Sequence, residues 1–229
     1  MGALDAKYFD EAKSIAKFGG RFCFAVSLGR DCACMLHIMS RLTDMSKHAY
    51  FTWSHYPKML PYQARYIAML ERRYCINIEV HLNPILTKTK QMPFVVDFME
   101  RNKCSLALFG YRMDESLQRR GMLKKFTDGI DYVRKWAYPM RSFTRKTIRG
   151  YVNSNKIPLS PEYNAGFNHD FPEHRGMASM ILRHFISEED YQAAVAQDPN
   201  IEIDYVRAIN DPENRKLYFE TTGKELPTW

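Results

Sequence analysis

The chain has 229 residues, is 45% apolar and carries a net charge of +7; this is an ordinary globular composition with enough apolar residues for a real core, in one α/β domain with an extension or in two small domains. No window approaches the ~18 continuous apolar residues that a membrane span needs, so no membrane partner is expected. The opening stretch MGALDAKYFDEAKSIAKF carries acids and lacks an apolar h-region, which argues against a secretory signal, and Ala6 stands where a myristoylation signal wants Ser or Thr.

Asp5 to Phe18 reads as an amphipathic helix with Ala6, Phe9, Ala12, Ile15 and Ala16 on one side, ended by Gly19-Gly20. Phe22 to Val26 is an apolar β-type run. It breaks at Ser27-Leu28-Gly29-Arg30-Asp31 and resumes as a helix through Cys34, Leu36, His37 and Met39, ending near Thr43. His48 to Trp53 is aromatic and strand-like. After Pro57 and Pro61, Tyr62 to Tyr74 has helical spacing. Ile76 to Leu82 alternates as a strand, Phe94 to Glu100 reads as helix, and Ser105 to Phe109 is a short buried strand ending at Gly110.

The first 110 residues thus alternate strand and helix, which predicts a Rossmann-like, mostly parallel α/β sheet with helices on both faces. Ligands of such sheets bind beyond the carboxyl ends of the strands, and the loops at Ser27 and Gly110 should open on that same edge. Past Gly110 the alternation fades. Ser116 to Lys125 is basic and partly helical, Trp136 to Pro139 is a turn, and Thr144 to Asn153 is a helix capped by Thr144 with Ile148, Tyr151 and Val152 inward. A loop-rich stretch runs to about Gly176, then helices at Met177–Phe185 and Glu188–Ala196, and a polar tail from Asp211 that wraps the surface or a partner. The predicted boundary separates a nucleotide-type domain over residues 1–168 from a helical extension over 169–229.

Five scattered cysteines, at 23, 32, 34, 75 and 104, do not make a disulfide framework and suggest a reducing, cytoplasmic setting. Cys23, Cys75 and Cys104 flank strand-like runs and are expected in the core. Leu117 to Arg149 holds ten Lys/Arg and two Asp, whereas Ser187 to Trp229 holds ten Asp/Glu and four Lys/Arg. A basic middle suits an anionic ligand, a nucleic acid or an acidic partner; the alternative is a solvated face balanced by the tail, within one chain or across a homo-oligomer.

Two loops carry the chemistry. A strand feeding a polar turn and a helix presents backbone N–H groups, the helix dipole and here Arg30 to an anion. The Ser27 turn is neither a Walker loop nor G-x-G-x-x-G. Gly110-Tyr111-Arg112-Met113-Asp114-Glu115-Ser116-Leu117-Gln118-Arg119-Arg120 follows a buried strand directly. Arg112 is suited to fork onto phosphate or sulfate oxygens, and Asp114 and Glu115 to hold Mg²⁺, to pair with an Arg or to cap a helix.

Ser27-Leu28-Gly29-Arg30-Asp31-Cys32 resembles the PP-loop S-G-G-K-D-S of the adenine nucleotide α-hydrolase and phosphoadenosine-phosphosulfate (PAPS) reductase superfamily. Gly110, Arg112, Glu115, Ser116 and Arg119 fall in register with that family's G-[IV]-R-x-x-E-S-x-x-R. Tyr138-Pro139-Met140 through Ile157-Pro158 resembles its P-L-x-x-W-[ST] segment, and Tyr163 to Phe167 its Y-D-x-G-[FY]. The resemblance implies ATP or a related adenine nucleotide bound at Ser27–Asp31 with Mg²⁺. Ser27, Leu28, Gly29 and Cys32 would line the phosphate loop and Arg30 would replace the family's Lys. Asp31 would serve the metal or phosphate network, and Gly110, Arg112, Glu115, Ser116 and Arg119 the substrate side, with Arg30, Asp31 and Arg112 as the catalytic set.

The departures matter as much. Leu28 replaces a glycine, Arg30 a lysine and Cys32 a serine, and Tyr50 to Ser54 lacks the acid of the family's F-I-D-T-G. Reductases of the family use a later cysteine, some with an iron–sulfur cluster. No cysteine follows residue 104, so a thiol-dependent reductase and a cluster are not expected. His169-Asp170-Phe171-Pro172-Glu173-His174 either holds a metal or makes local hydrogen bonds. Cys32 is either a helix-start nucleophile or a core residue. The expected chemistry is ATP cleavage between the α and β phosphates with adenylyl transfer. The alternatives are a non-catalytic nucleotide or nucleic-acid module, and a sulfonucleotide enzyme that borrows a partner's thiol.

Overall fold

The computed structural model describes residues 9–54, 58–82, 88–164 and 179–226. Its elements in order are α1 (Asp10–Phe18), β1 (Phe22–Ala25), α2 (Arg30–Met39), β2 (Ala49–Ser54), α3 (Pro61–Tyr74), β3 (Ile78–Leu82), α4 (Lys88–Arg101), β4 (Leu106–Leu108), α5 (Leu117–Leu123), β5 (Ile130–Asp131), β6 (Trp136–Ala137) and α6 (Arg145–Ser154). After a π-helical turn at Leu182–Ile186 come α7 (Glu188–Val195), α8 (Asn200–Asn210) and α9 (Pro212–Thr222).

The six strands form one sheet in the order β3-β2-β1-β4-β6-β5. All neighbours are parallel except β5 and β6. This is the Rossmann-like α/β class that the strand–helix alternation predicts. The chain moves outward from β1 through β2 to β3, then returns to place β4 on the other side of β1. β1 and β4 therefore flank a topological switch point, where a crevice opens beyond the strand ends. The central strands are apolar on both faces because helices cover both. Phe22 and Phe24 project to one face with Tyr50, Phe22 stacked on His48 and Phe24 on Tyr50. Cys23, Ala25 and Phe51 project to the other, against Val95, Phe98 and Met99 of α4.

By internal contacts the chain divides into two units, Met1–His55 with Ile67–Pro158, and Tyr56–Tyr66 with Leu159–Trp229. The predicted boundary at 168/169 lies outside the described residues. The second unit has its own core, which includes Leu60, Met180, Tyr191, Tyr205 and Ile209. Within it the fully buried Asp190 accepts hydrogen bonds from the Tyr62 amide at 2.7 Å, Arg65 at 2.9 Å and the Ser187 hydroxyl at 2.6 Å. A buried carboxylate is tolerated only when its oxygens are satisfied in this way.

Several expectations need correction. Trp136–Ala137 is a strand paired with β4, not only a turn. Two residues are too few to show a strand's period. The tail from Asp211 is a helix: Asp211 caps it by accepting from the Glu213 and Asn214 amides, Pro212 opens it, and Gly223 closes it at φ 69°. Cys75 is exposed and Cys104 half-buried, so only Cys23 of that trio is a core residue. Cys75 follows the last turn of α3 in the left-handed region at φ 53°, where the chain turns rather than extends. The Thr144 cap of α6 is present, its hydroxyl accepting from the Thr147 amide, with Ile148, Tyr151 and Val152 buried as expected.

Candidate functional site

β1 ends in apolar residues with nowhere to go but the core, and the chain then surfaces abruptly. Val26 is buried and still tied to the sheet through Phe51, its amide donating at 2.8 Å, whereas Ser27 is exposed and Leu28, Gly29, Arg30 and Asp31 are half-buried. Gly29 precedes α2 in extended backbone and makes no side-chain cap. The first amides of α2 have no acceptor within the helix, and Asp31 places a carboxylate in that first turn. Cys32, by contrast, turns into the core at 2% exposure. Burial, aided by the charge of Asp31, pushes the thiols of Cys32 and Cys34 well above their usual range. The structure therefore favours the core reading of Cys32 over the nucleophile.

The loop after β4 folds back onto this turn. A Cβ added at Gly110 would meet the Asp31 backbone at 3.6 Å, so the two loops are in contact there. Arg112, 5% exposed, lies among three acids. Its Nε donates to Asp31 Oδ2 at 2.9 Å and lies 3.8 Å from Glu115 Oε1, and one Nη donates to Asp114. Burial alone would lower its proton affinity. The charge and hydrogen bond of Asp31, with Asp114 and Glu115 behind it, outweigh burial and hold the guanidinium charged. Burial raises the Glu115 carboxyl, against the pull of Arg119 and Arg112.

The rest of the loop is organised by the same side chains. Ser116 caps α5, its hydroxyl accepting from the Arg119 amide at 3.1 Å. Arg119 lies over the Tyr111 ring at 3.3 Å and 3.4 Å from Glu115 Oε2. Asp114 also accepts from the Arg145 amide at the head of α6, at 2.6 Å.

The structure thus brings together Asp31, Gly110, Arg112, Glu115, Ser116 and Arg119. Ser27, Leu28, Gly29 and Arg30 stand at the head of α2 beside them. At the motif spacing Glu115 lies between Arg112 and Arg119, at 3.8 Å and 3.4 Å, while Ser116 caps the helix that carries Arg119. Sequence reasoning missed two members: Tyr111, the platform under Arg119, and Asp114 as the link to α6. An aromatic and an acid flanking Arg112 were the available signals. Ala165 to Phe167 and the His169–His174 cluster lie outside the described residues.

Among the described residues no group of three or more His, Cys, Asp or Glu could hold a metal ion. Magnesium commonly takes only one or two carboxylates and completes its shell with water and phosphate oxygens. The half-buried carboxylate of Asp31 at the head of α2 would suffice as the protein ligand of such an ion. Among the described residues no helix is long and apolar enough to cross a membrane.

No family model matches the sequence, and no curated protein is similar to it in sequence. Solved structures do share its architecture. The U34-tRNA thiolase of Methanococcus maripaludis, solved with its [4Fe-4S] cluster, superposes with a TM-score of 0.50 at 11% identity, over 94% of this chain and 79% of that one. The FMN adenylyltransferase of Candida glabrata, solved with FMN and the ATP analogue AMPCPP, gives a TM-score of 0.51 at 12% identity, over 72% of this chain and 60% of that one. This chain therefore spans less than two thirds of the adenylyltransferase. At such identities a likeness speaks for architecture alone. The strand order, the two loops that meet beyond β1 and β4 and these two superpositions lead to one conclusion: the chain shares the Rossmann-like, mostly parallel α/β fold of these enzymes.

Proposed function

We propose that the chain binds ATP at the Ser27–Asp31 loop and cleaves it between the α and β phosphates, passing the adenylyl group to an oxygen nucleophile. The observation that carries this reading is the junction of the two loops at the β1/β4 switch point, with Asp31 fixed by Arg112 at 2.9 Å. The architecture shared with an adenylyltransferase bound to an ATP analogue is consistent with it.

In this reading the amides at the head of α2, with Ser27 and Gly29, receive the phosphates, and Arg30 faces their charge. Asp31 would hold Mg²⁺, which when bound would supply charge neutralisation at the phosphates. Arg112 acts as a positioning residue: its guanidinium is committed to carboxylates and keeps the Asp31 side chain in one orientation. Catalysis is then positioning and charge stabilisation, without a thiol. The acceptor's oxygen forms a bond to the α-phosphorus as the bond to the bridging oxygen breaks, and pyrophosphate leaves.

A second reading is favoured by one feature of the same site. An Arg that neutralises Asp31 also competes with a metal for it, which suits a module that holds the nucleotide without turnover. Pyrophosphate release with Mg²⁺-ATP, measured alongside ATP-induced thermal protection, separates the two. The first reading expects both, with release falling at least about tenfold in Asp31→Asn, as for loss of one charge-stabilising group. Protection without release supports the second, and the absence of both overturns nucleotide binding at this loop.

A further inference from the structure

The basic middle of the chain divides into two kinds of cation. Arg112, Arg119, Arg134 and Arg141 pair with acids of the fold. Arg120, Lys124, Lys125 and Lys135 are exposed and make no ion pair among the described residues. Arg120 lies on α5, Lys124 and Lys125 directly after its last turn, and Lys135 at the β5–β6 hairpin. Between the two elements runs a groove of about 470 Å³, with Lys125 and Arg134 among its walls and Met122, Phe126 and Val133 as its apolar surface.

The hairpin tip is built to hold side chains out in water. Tyr132 is 63% exposed and Val133 94% exposed. Large apolar side chains presented this openly beside cations mark contact surfaces rather than core. The tip is also rigid. Asp131, buried beneath it, accepts from the amides of Val133 and Arg134 at 3.1 Å, and the Tyr132 hydroxyl donates to Asp128 at 2.6 Å. The two acids of this region are thereby spent within the hairpin, and Asp128 fixes the ring of Tyr132. A fixed aromatic face gives contact area at little entropic cost.

We propose that this groove together with the basic rim beside it, from the end of α5 to the hairpin tip, binds single-stranded nucleic acid. Lys124, Lys125, Lys135 and Arg120 take the backbone phosphates and Tyr132 stacks on a base. Charge complementarity selects a polyanion. The ring selects a strand whose bases are free to leave their neighbours, because a closed duplex offers no π-face along its side. A flat membrane surface would leave the concave groove unused. This inference does not rest on nucleotide binding at the Ser27 loop.

Fluorescence anisotropy with a labelled pyrimidine oligonucleotide of about 12 nucleotides tests it, since single-strand sites span roughly that length. Tyr132→Ala should weaken binding about tenfold with the salt slope unchanged, and Tyr132→Phe should restore it. The double change Lys124→Ala with Lys125→Ala should reduce the slope of log K against log salt by roughly 1.4, at about 0.7 per lost phosphate contact. All these positions are exposed, and unchanged melting of each variant confirms that the fold is kept. Equal affinity of Tyr132→Ala, no binding at low salt, or preference for duplex or anionic vesicles over the single strand would each overturn the proposal.

Discussion

Arg112 and Asp31, 81 residues apart in the chain, meet at 2.9 Å and join the loop after β4 to the first turn of α2. The pair is unequal: Arg112 has 6% of its side chain exposed and Asp31 29%. Removing the cation takes the Arg112 Nε bond from Asp31 and leaves Asp114 with the Arg145 amide, in a partly dry site. Arg112→Ala is therefore expected to cost about 2 kcal/mol, below the full penalty of a broken buried pair because water still reaches both acids. Asp31→Asn keeps the shape and a hydrogen-bonding oxygen and should cost about 1 kcal/mol. Urea titrations of the two single variants and the double would show losses that do not add. Simple additivity would mean that the contact contributes nothing of its own.

Two glycines should respond in opposite ways. Gly20 has φ +81°, and a Cβ there would lie 2.8 Å from Ser105 Oγ, a hydroxyl already bonded to the Gly19 and Arg21 carbonyls. Gly20→Ala is expected to destabilise by about 1–2 kcal/mol from backbone strain and the displaced serine. Gly110 has no such constraint, since its nearest neighbours would sit at ordinary contact distance. Gly110→Ala should melt within about 0.5 kcal/mol of the parent. If a nucleotide lies against this loop, the same variant should lose ATP protection while still folding, and unimpaired protection would move the ligand elsewhere.

The contrast between these glycines shows what was legible from sequence. β1, β2 and β4 were legible because strands buried on both faces leave apolar runs, edge strand β3 by its alternation, and Thr144 announced α6 by its cap. β6 was not, because its assignment depends on pairing with β4 rather than on its own two residues. Helix α8 repeats Ile201, Tyr205, Ala208 and Ile209 at helical spacing, yet its charged neighbours blurred the pattern. In the site, residue types foretold which loops meet but not who bonds to whom. Arg112 reads as a phosphate fork from its motif alone. Asp114 and Glu115 come from its own loop, but only the return of β4 beside β1 supplies the Asp31 carboxylate that occupies it. Glu11 is the same lesson in α1: an apparently solvent-facing acid, buried against Arg141 at 3.1 Å and Ser142 at 3.0 Å.

Stability should fall in mild acid, and His48 is a defined contributor. Its Nδ1 accepts from the Phe22 amide at 3.2 Å and its Nε2 meets the Thr43 hydroxyl at 2.9 Å, so the ring is neutral in the folded sheet. Burial lowers its pKa from the ordinary 6.5; Arg21 and Lys47 act in the same direction and Asp44 against it. A depressed folded pKa means that the contribution is fully present above pH 6.5 and is lost as pH falls through the lower folded value. His37, His81 and His184 are lowered in the same sense, so the loss is shared. His48→Gln should be less stable at neutral pH and should show a shallower decline of the urea midpoint between about pH 7 and pH 5. An unchanged slope would remove His48 from the acid response.

Thiol reactivity should sort the five cysteines by position, because the thiolate attacks and burial suppresses it. Cys75 is exposed at the end of α3 and should react with a disulfide reagent at the rate of a free thiol. Cys104 is half-buried, and its pKa is lowered by a hydrogen bond from the Cys23 thiol and by the charge of Arg21, so it should react next. Cys23, Cys32 and Cys34, at 0%, 2% and 0% exposure, should wait for unfolding, with rates that follow the denaturant dependence of global opening. Native protein should therefore release two equivalents and unfolded protein five. The Cys32 result bears on the mechanism. Rapid native modification of Cys32, blocked by ATP, would place its sulfur on the nucleotide side of the loop and restore a nucleophilic role; silence of Cys32 until unfolding keeps it in the core, as its 2% exposure predicts.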